Sequence, residues 1–169
     1  MVDKISSTFG SWPVLKQIEK NNPDRQFITL SSTSIHNDLQ LLDVSGDPSV
    51  FANPLIYRVK FHTGNFSWNG FYRFSFMTLS KEEIKVLDAK ISQLATPERL
   101  PLGLNDLFVL QPQKRPNERV LLTIWQLDSD YSIWRRSESY EPFKIYSDSG
   151  AYNYHDSNYT AYQLHSLES

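Results

Sequence analysis

The chain has 169 residues, 17 basic against 19 acidic, a formal charge of −2 and no cysteine. That length suits one domain with a core of its own. The missing cysteine excludes a disulfide framework, thiolate-bound zinc, an iron–sulfur cluster and a cysteine nucleophile, and it fits a reducing, cytoplasmic setting. No Lys/Arg cluster extends beyond Lys114-Arg115 or Arg135-Arg136, so neither nucleic acid nor an anionic membrane is an expected partner.

No apolar run approaches the roughly 18 residues of a membrane span, and residues 1–20 lack the charged-then-apolar order of a signal peptide, so a soluble chain without a transmembrane segment is expected. Aromatic residues make up 14% of the chain although mean hydropathy is only −0.45. Large rings on a polar background suit strands and cavities.

In residues 1–65, turn chemistry recurs at Asn21-Asn22-Pro23-Asp24, Ser45-Gly46-Asp47-Pro48 and Asn53-Pro54, with short apolar runs at 27–30, 39–44 and 55–61 between them. This reads as a strand-rich extension. Leu15 and Ile18 at helical spacing predict a short helix over 9–18, with Pro13 early enough for a first turn. The glycines and asparagines of 62–70 mark the boundary. Residues 1–65 are therefore expected to pack as an extension on a main domain of residues 66–169.

Residues 71–79 alternate, with Tyr72, Phe74 and Phe76 on one side, and predict a strand. Ser80 and Glu83 form a capping box ahead of the stripe Ile84, Leu87, Ile91 and Leu94, which stops before Pro97. Residues 102–111 and 118–127 predict antiparallel strands joined through Pro116-Asn117. A helix N-capped by Asp128 or Ser129 then carries Tyr131 and Trp134 until Pro142 limits it, and 158–165 supplies a last strand. Strand, helix, strand, strand, helix, strand is the ferredoxin-like order of an α+β fold.

Residues 119–127 have no polar face: Val120, Leu122 and Ile124 alternate with Leu121, Trp125 and Leu127. Helices cover only one side of such a sheet. A second copy of the sheet, the N-terminal extension or a ligand must cover the other, and a homodimer with sheets packed face to face is the expected solution.

Ile124-Trp125, Tyr131-Ser132-Ile133-Trp134 and Ser137-Glu138-Ser139-Tyr140 resemble the signature of the antibiotic-biosynthesis-monooxygenase (ABM) superfamily, whose members form dimeric α/β barrels and include heme-degrading enzymes. Upstream, Leu15-Lys16-Gln17-Ile18, Asn21-Asn22-Pro23, Gln26 and the run from Pro54 to Val59 resemble the N-terminal region of the TRAP family, some bacillary relatives of which are heme monooxygenases. The resemblance implies heme, or a similar flat aromatic ligand, between the sheet and the helix bearing Trp134. It also implies an asparagine on the first strand and a histidine ten residues after the tryptophan. Ungapped placement puts Ser75 and Lys144 at those two positions.

On that reading Trp134 walls the ligand, Ser75 holds the oxygen-side water network, Lys144 or His155 ligates iron, and Arg135 pairs with heme propionates. A lysine, with a reference pKa of about 10.4, ligates only after deprotonation, whereas neutral imidazole is a good axial ligand. Trp125 is expected in the core, and His36, His62 and His165 show no spacing for a metal site. No Gly-x-Ser-x-Gly, phosphate loop or His-Glu-x-x-His occurs. The alternatives are a TRAP-like signalling or stress-response module without catalysis, and an oxygenase that needs no heme.

Overall fold

The computed structural model describes residues 2–34 and 39–161. The first half runs β1 (Lys4–Gly10), α1 (Trp12–Asn21), β2 (Phe27–Ser32), β3 (Leu39–Asp43) and β4 (Leu55–Gly64). The second runs β5 (Phe71–Thr78), α2 (Lys81–Leu94), β6 (Leu104–Pro112), β7 (Glu118–Trp125), α3 (Asp128–Arg135), a 3-10 helix (Glu138–Phe143), α4 (Lys144–Asp148) and β8 (His155–Ala161).

Local chemistry explains the helix starts. Pro13 falls in the first turn of α1, where its missing N–H leaves no bond unmade. That helix begins later than predicted because Phe9 and Gly10 pair with Gln40 and Leu39 as the end of β1. At α2 the capping box forms in full: the Glu83 N–H donates to Ser80 Oγ (3.2 Å) and the Ser80 N–H to Glu83 Oε1 (2.8 Å). At α3 the predicted caps lie inside the helix, and the Asp130 carboxylate instead reaches back to the Leu127 N–H (3.1 Å). Pro142 sits in the 3-10 helix, clear of α3.

The strands close into an antiparallel barrel in the order β1-β3-β2-β8-β5-β7-β6-β4. Within it, β8-β5-β7-β6 is the ferredoxin-like sheet predicted for the second half. The first half repeats that order as β4-β1-β3-β2, with α1 where the second half has α2. The halves join through β2 on β8 and β4 on β6, as in the pairs Ser32↔Tyr159 and His62↔Phe108.

Every residue of β7 is buried. Val120, Leu122 and Ile124 point into the barrel with Tyr72 and Phe74, whereas Leu121 and Trp125 face α2 and α3 with Leu87, Ile91 and Trp134. The chain's own first half thus supplies the cover for which a second copy was expected. The two-sided apolarity of β7 therefore calls for no dimer.

One end of the barrel is plugged. Trp68 stacks on Phe108 (centroids 5.2 Å apart) and its carbonyl accepts the Tyr72 hydroxyl at 2.7 Å. Asp106 Oδ1 lies 2.7 Å from His62 Nε2 and accepts the Phe66 N–H at 2.8 Å. Phe66 and Trp68 hold left-handed backbone (φ 56° and 60°), a strain that this packing must offset. At Gly70 (φ +124°) a Cβ would lie 2.0 Å from the Trp125 carbonyl oxygen, so only glycine fits.

Candidate functional site

Side chains alternate across β5 and β8, which gives the shared sheet two chemically different faces. On the helix side Trp134 is 4% exposed. Its indole N–H donates to Ser139 Oγ (2.9 Å), and its ring meets Tyr140 edge-on at 4.8 Å and Trp125 at 5.5 Å. Trp125 is fully buried and donates to Thr123 Oγ1 at 2.8 Å.

Arg73 is the buried cation beside Tyr131 on this face. Its guanidinium lies 4.4 Å over the Tyr131 ring and donates to Asp156 Oδ2 (3.0 Å), the Tyr154 hydroxyl (3.2 Å) and Asn158 Oδ1 (3.3 Å). Burial opposes its charge, but Tyr131, Tyr154 and Asp156 more than offset that, and its pKa is raised. Burial also pushes the Tyr131 phenol up, against the pull of Arg73, and its hydroxyl has no hydrogen-bond partner among the described residues. The space these groups enclose with Ser75 is about 20 Å³. That is room for about one water, against the ~10–15 Å³ a water needs. With the side chains packed in this way, there is no room for a macrocycle beneath Trp134.

The other face lines the barrel, and at the end opposite Trp68 it opens into a cavity of about 710 Å³. That volume falls within the ~300–1,000 Å³ usual for small-molecule sites. Leu55, Tyr57, Phe74, Phe76 and Tyr159 supply apolar walls, and the His155 imidazole stacks on Phe76 with centroids 4.4 Å apart. Lys114, Arg115 and Glu118 also border the space. Burial, helped by the Glu118 charge, pushes the Tyr57 phenol up to about 12.

No family model matches the sequence. A ferredoxin-fold protein related to antibiotic biosynthesis monooxygenases from Listeria monocytogenes superposes at TM-score 0.79 and 18% identity, over 97% of each chain. A major regulator of staphylococcal pathogenesis does so at 0.77 and 20%, over 95% of this chain and 99% of its own. The heme-degrading enzyme of Listeria monocytogenes does so at 0.70 and 21%, over 93% and 98%. The chain has the monooxygenase-like fold. The resemblance drawn from sequence is thus supported over nearly the whole length, as a likeness of fold.

Within this monooxygenase-like fold the predicted site residues separate. Trp134 and Ser75 line the small helix-side space together, where Ser75 Oγ accepts from the Tyr154 hydroxyl at 3.3 Å. His155 belongs to the barrel cavity: Phe76 pairs with His155 and Ser75 with Asp156, so the histidine and the serine lie on opposite faces. It sits at the start of β8 (His155–Ala161) and not in a loop, so the strand begins earlier than the 158–165 predicted, of which 162–165 lie outside the described residues.

Lys144 borders neither space. Its Nζ lies 2.8 Å from Glu141 Oε1, a contact that raises its pKa and keeps it a cation. Arg135 is exposed on α3 and also borders neither. His36 and His165 lie outside the described residues. Among the described residues no His/Asp/Glu group converges on a metal site, and no helix is long and apolar enough to cross a membrane.

Sequence reasoning missed Arg73, Tyr131 and Tyr154 on the helix side and Leu55 and Tyr57 in the barrel. The ring-bearing alternation of Tyr72, Phe74 and Phe76 was the signal for the barrel wall. It could be assigned to a cavity only once the strands opposite were known.

Proposed function

We propose that the chain is a ligand-binding protein of the monooxygenase-like fold, cytoplasmic in setting, which holds heme or a flat aromatic molecule of similar size inside its barrel and not beneath Trp134. The contrast between the two spaces carries this reading: about 710 Å³ beside His155 against about 20 Å³ beside Trp134. Phe74, Phe76 and Tyr159 offer apolar surface whose removal from water contributes about 25 cal/mol per Å². His155 offers an imidazole at the cavity wall, the side chain suited to heme iron. Heme bound there would supply a redox-active iron. The chain's own residues would enclose the ring and orient it.

The fold shared with a heme-degrading enzyme supports this class of ligand. The filled helix side supports binding without ring cleavage there, which fits a ligand-responsive module, and the likeness to a staphylococcal regulator points the same way. Titration with hemin, followed at the Soret band, tests the proposal. The unmodified protein and Trp134→Phe should shift the band, and at a hemin concentration that half-saturates the unmodified protein His155→Ala should shift it several-fold less. A protein that leaves hemin unshifted, or a shift lost in Trp134→Phe and kept in His155→Ala, would refute it.

A further inference from the structure

The edge of the barrel cavity has a charge pattern that its depth lacks. Lys114 and Arg115 border it from the turn between β6 and β7, and Glu118 is the one carboxylate in the lining. Glu118 is largely buried and meets Arg115 loosely, at 3.4 Å, while the Arg115 side chain is 73% exposed. Lys114 has no ion pair among the described residues. One cation at the rim is therefore spare, and a second is only loosely engaged.

The turn itself is held in place. The Arg115 N–H donates to the Pro112 carbonyl (3.2 Å), the Glu118 N–H to the Arg115 carbonyl (3.0 Å), and the Arg119 guanidinium to the Pro116 carbonyl (2.9 Å). A turn fixed this way presents its side chains with little further ordering of the backbone, which lowers the cost of using them in binding. Away from the rim most of the lining is rings and aliphatic groups, Gln40, His155 and Ser157 are its polar side chains, and no Lys or Arg stands there, so an unpaired acid would be costly.

We infer that the natural ligand is an amphipathic acid, with its aromatic body in the barrel and its anionic group at the rim on Lys114 and Arg115. This rests on the barrel-cavity reading proposed above. The rim sets orientation: the acid stays in solvent reach, and Glu118 repels it from the interior.

Anilinonaphthalenesulfonate and phenylnaphthylamine share one aromatic body and differ by the acid, and both fluoresce when removed from water. The sulfonate should bind roughly three- to tenfold more tightly at low salt, the range expected for one or two exposed charge pairs. The preference should shrink as salt screens the rim and vanish in the double variant Lys114→Gln/Arg115→Gln, which keeps the neutral probe. Ser157→Trp, which fills the cavity, should lose both. Equal binding of the two probes by the unmodified protein, or a preference that survives in the double variant, overturns the inference and leaves the cavity reading intact. Binding of neither probe, or of both in Ser157→Trp, overturns the cavity reading and the inference with it.

Discussion

The His155 imidazole lies flat against the Phe76 ring, centroids 4.4 Å apart and planes within 2° of parallel. The pairing of β5 with β8 sets the two residues side by side on the barrel face, so the stack fixes the plane of the imidazole before any ligand arrives. His155→Ala should weaken hemin binding by tenfold or more, equivalent to about 1.4 kcal/mol, whereas Phe76→Ala should weaken it less and broaden the Soret band. Equilibrium titration of both variants checks the order.

Trp134 packs against Trp125, Tyr140 and Phe143 with almost no adjoining space. Trp134→Ala should cost about 3–5 kcal/mol of stability through the cavity it leaves. Trp134→Phe should cost less while losing the hydrogen bond to Ser139. Urea denaturation measures both, and hemin affinity in the phenylalanine variant should stay within a factor of two or so of the unmodified protein.

Alkaline pH should destabilise the fold. Burial raises Tyr57 from 10.0 to about 12, and it raises Tyr146 likewise to about 12. Between those values the unfolded chain releases phenolic protons that the folded chain retains. The contribution is therefore fully present below about pH 10 and is lost as pH rises through about 12. Each group accounts for up to about 2–3 kcal/mol. Tyr57→Phe should flatten the fall in stability between pH 10 and 12, as read from denaturation midpoints at graded pH.

Residues 1–65 are expected not to fold alone, because the outer strands of their sheet, β2 and β4, find partners in β8 and β6. A sheet with both edges open and one face of its core missing buries too little. Residues 1–66 expressed by themselves should aggregate or show no cooperative melt by circular dichroism. A sharp transition would make them a domain in their own right.

What could be read from the sequence was what short-range chemistry determines. Ser80 and Glu83 placed α2, and the alternation on β7 showed that both faces of the second-half sheet must be buried. The choice among covers was not legible, because it depends on β1. There the buried residues include Ser6 and Ser7, and the Ser7 hydroxyl donates to Gln40 Oε1 inside the protein. On its inward face Ile5 and Phe9 are separated by Ser7, and the buried position on the other face is Ser6, so β1 has too little hydrophobic period to read. His155 was misplaced because His155-Asp156-Ser157-Asn158 has turn composition and becomes a strand only through pairing with β5. The larger cavity then fell on the side that tryptophan content did not mark.

Paramagnetic broadening by bound hemin measures where the ligand sits. In protein with labelled leucine and methionine methyl groups, Leu55 reports on the barrel cavity and Met77 on the space beneath Trp134. Adding one equivalent of hemin should broaden the Leu55 signals beyond detection and leave the Met77 methyl sharp. Loss of the Met77 signal with Leu55 unchanged would place the ligand under the helices and contradict the account.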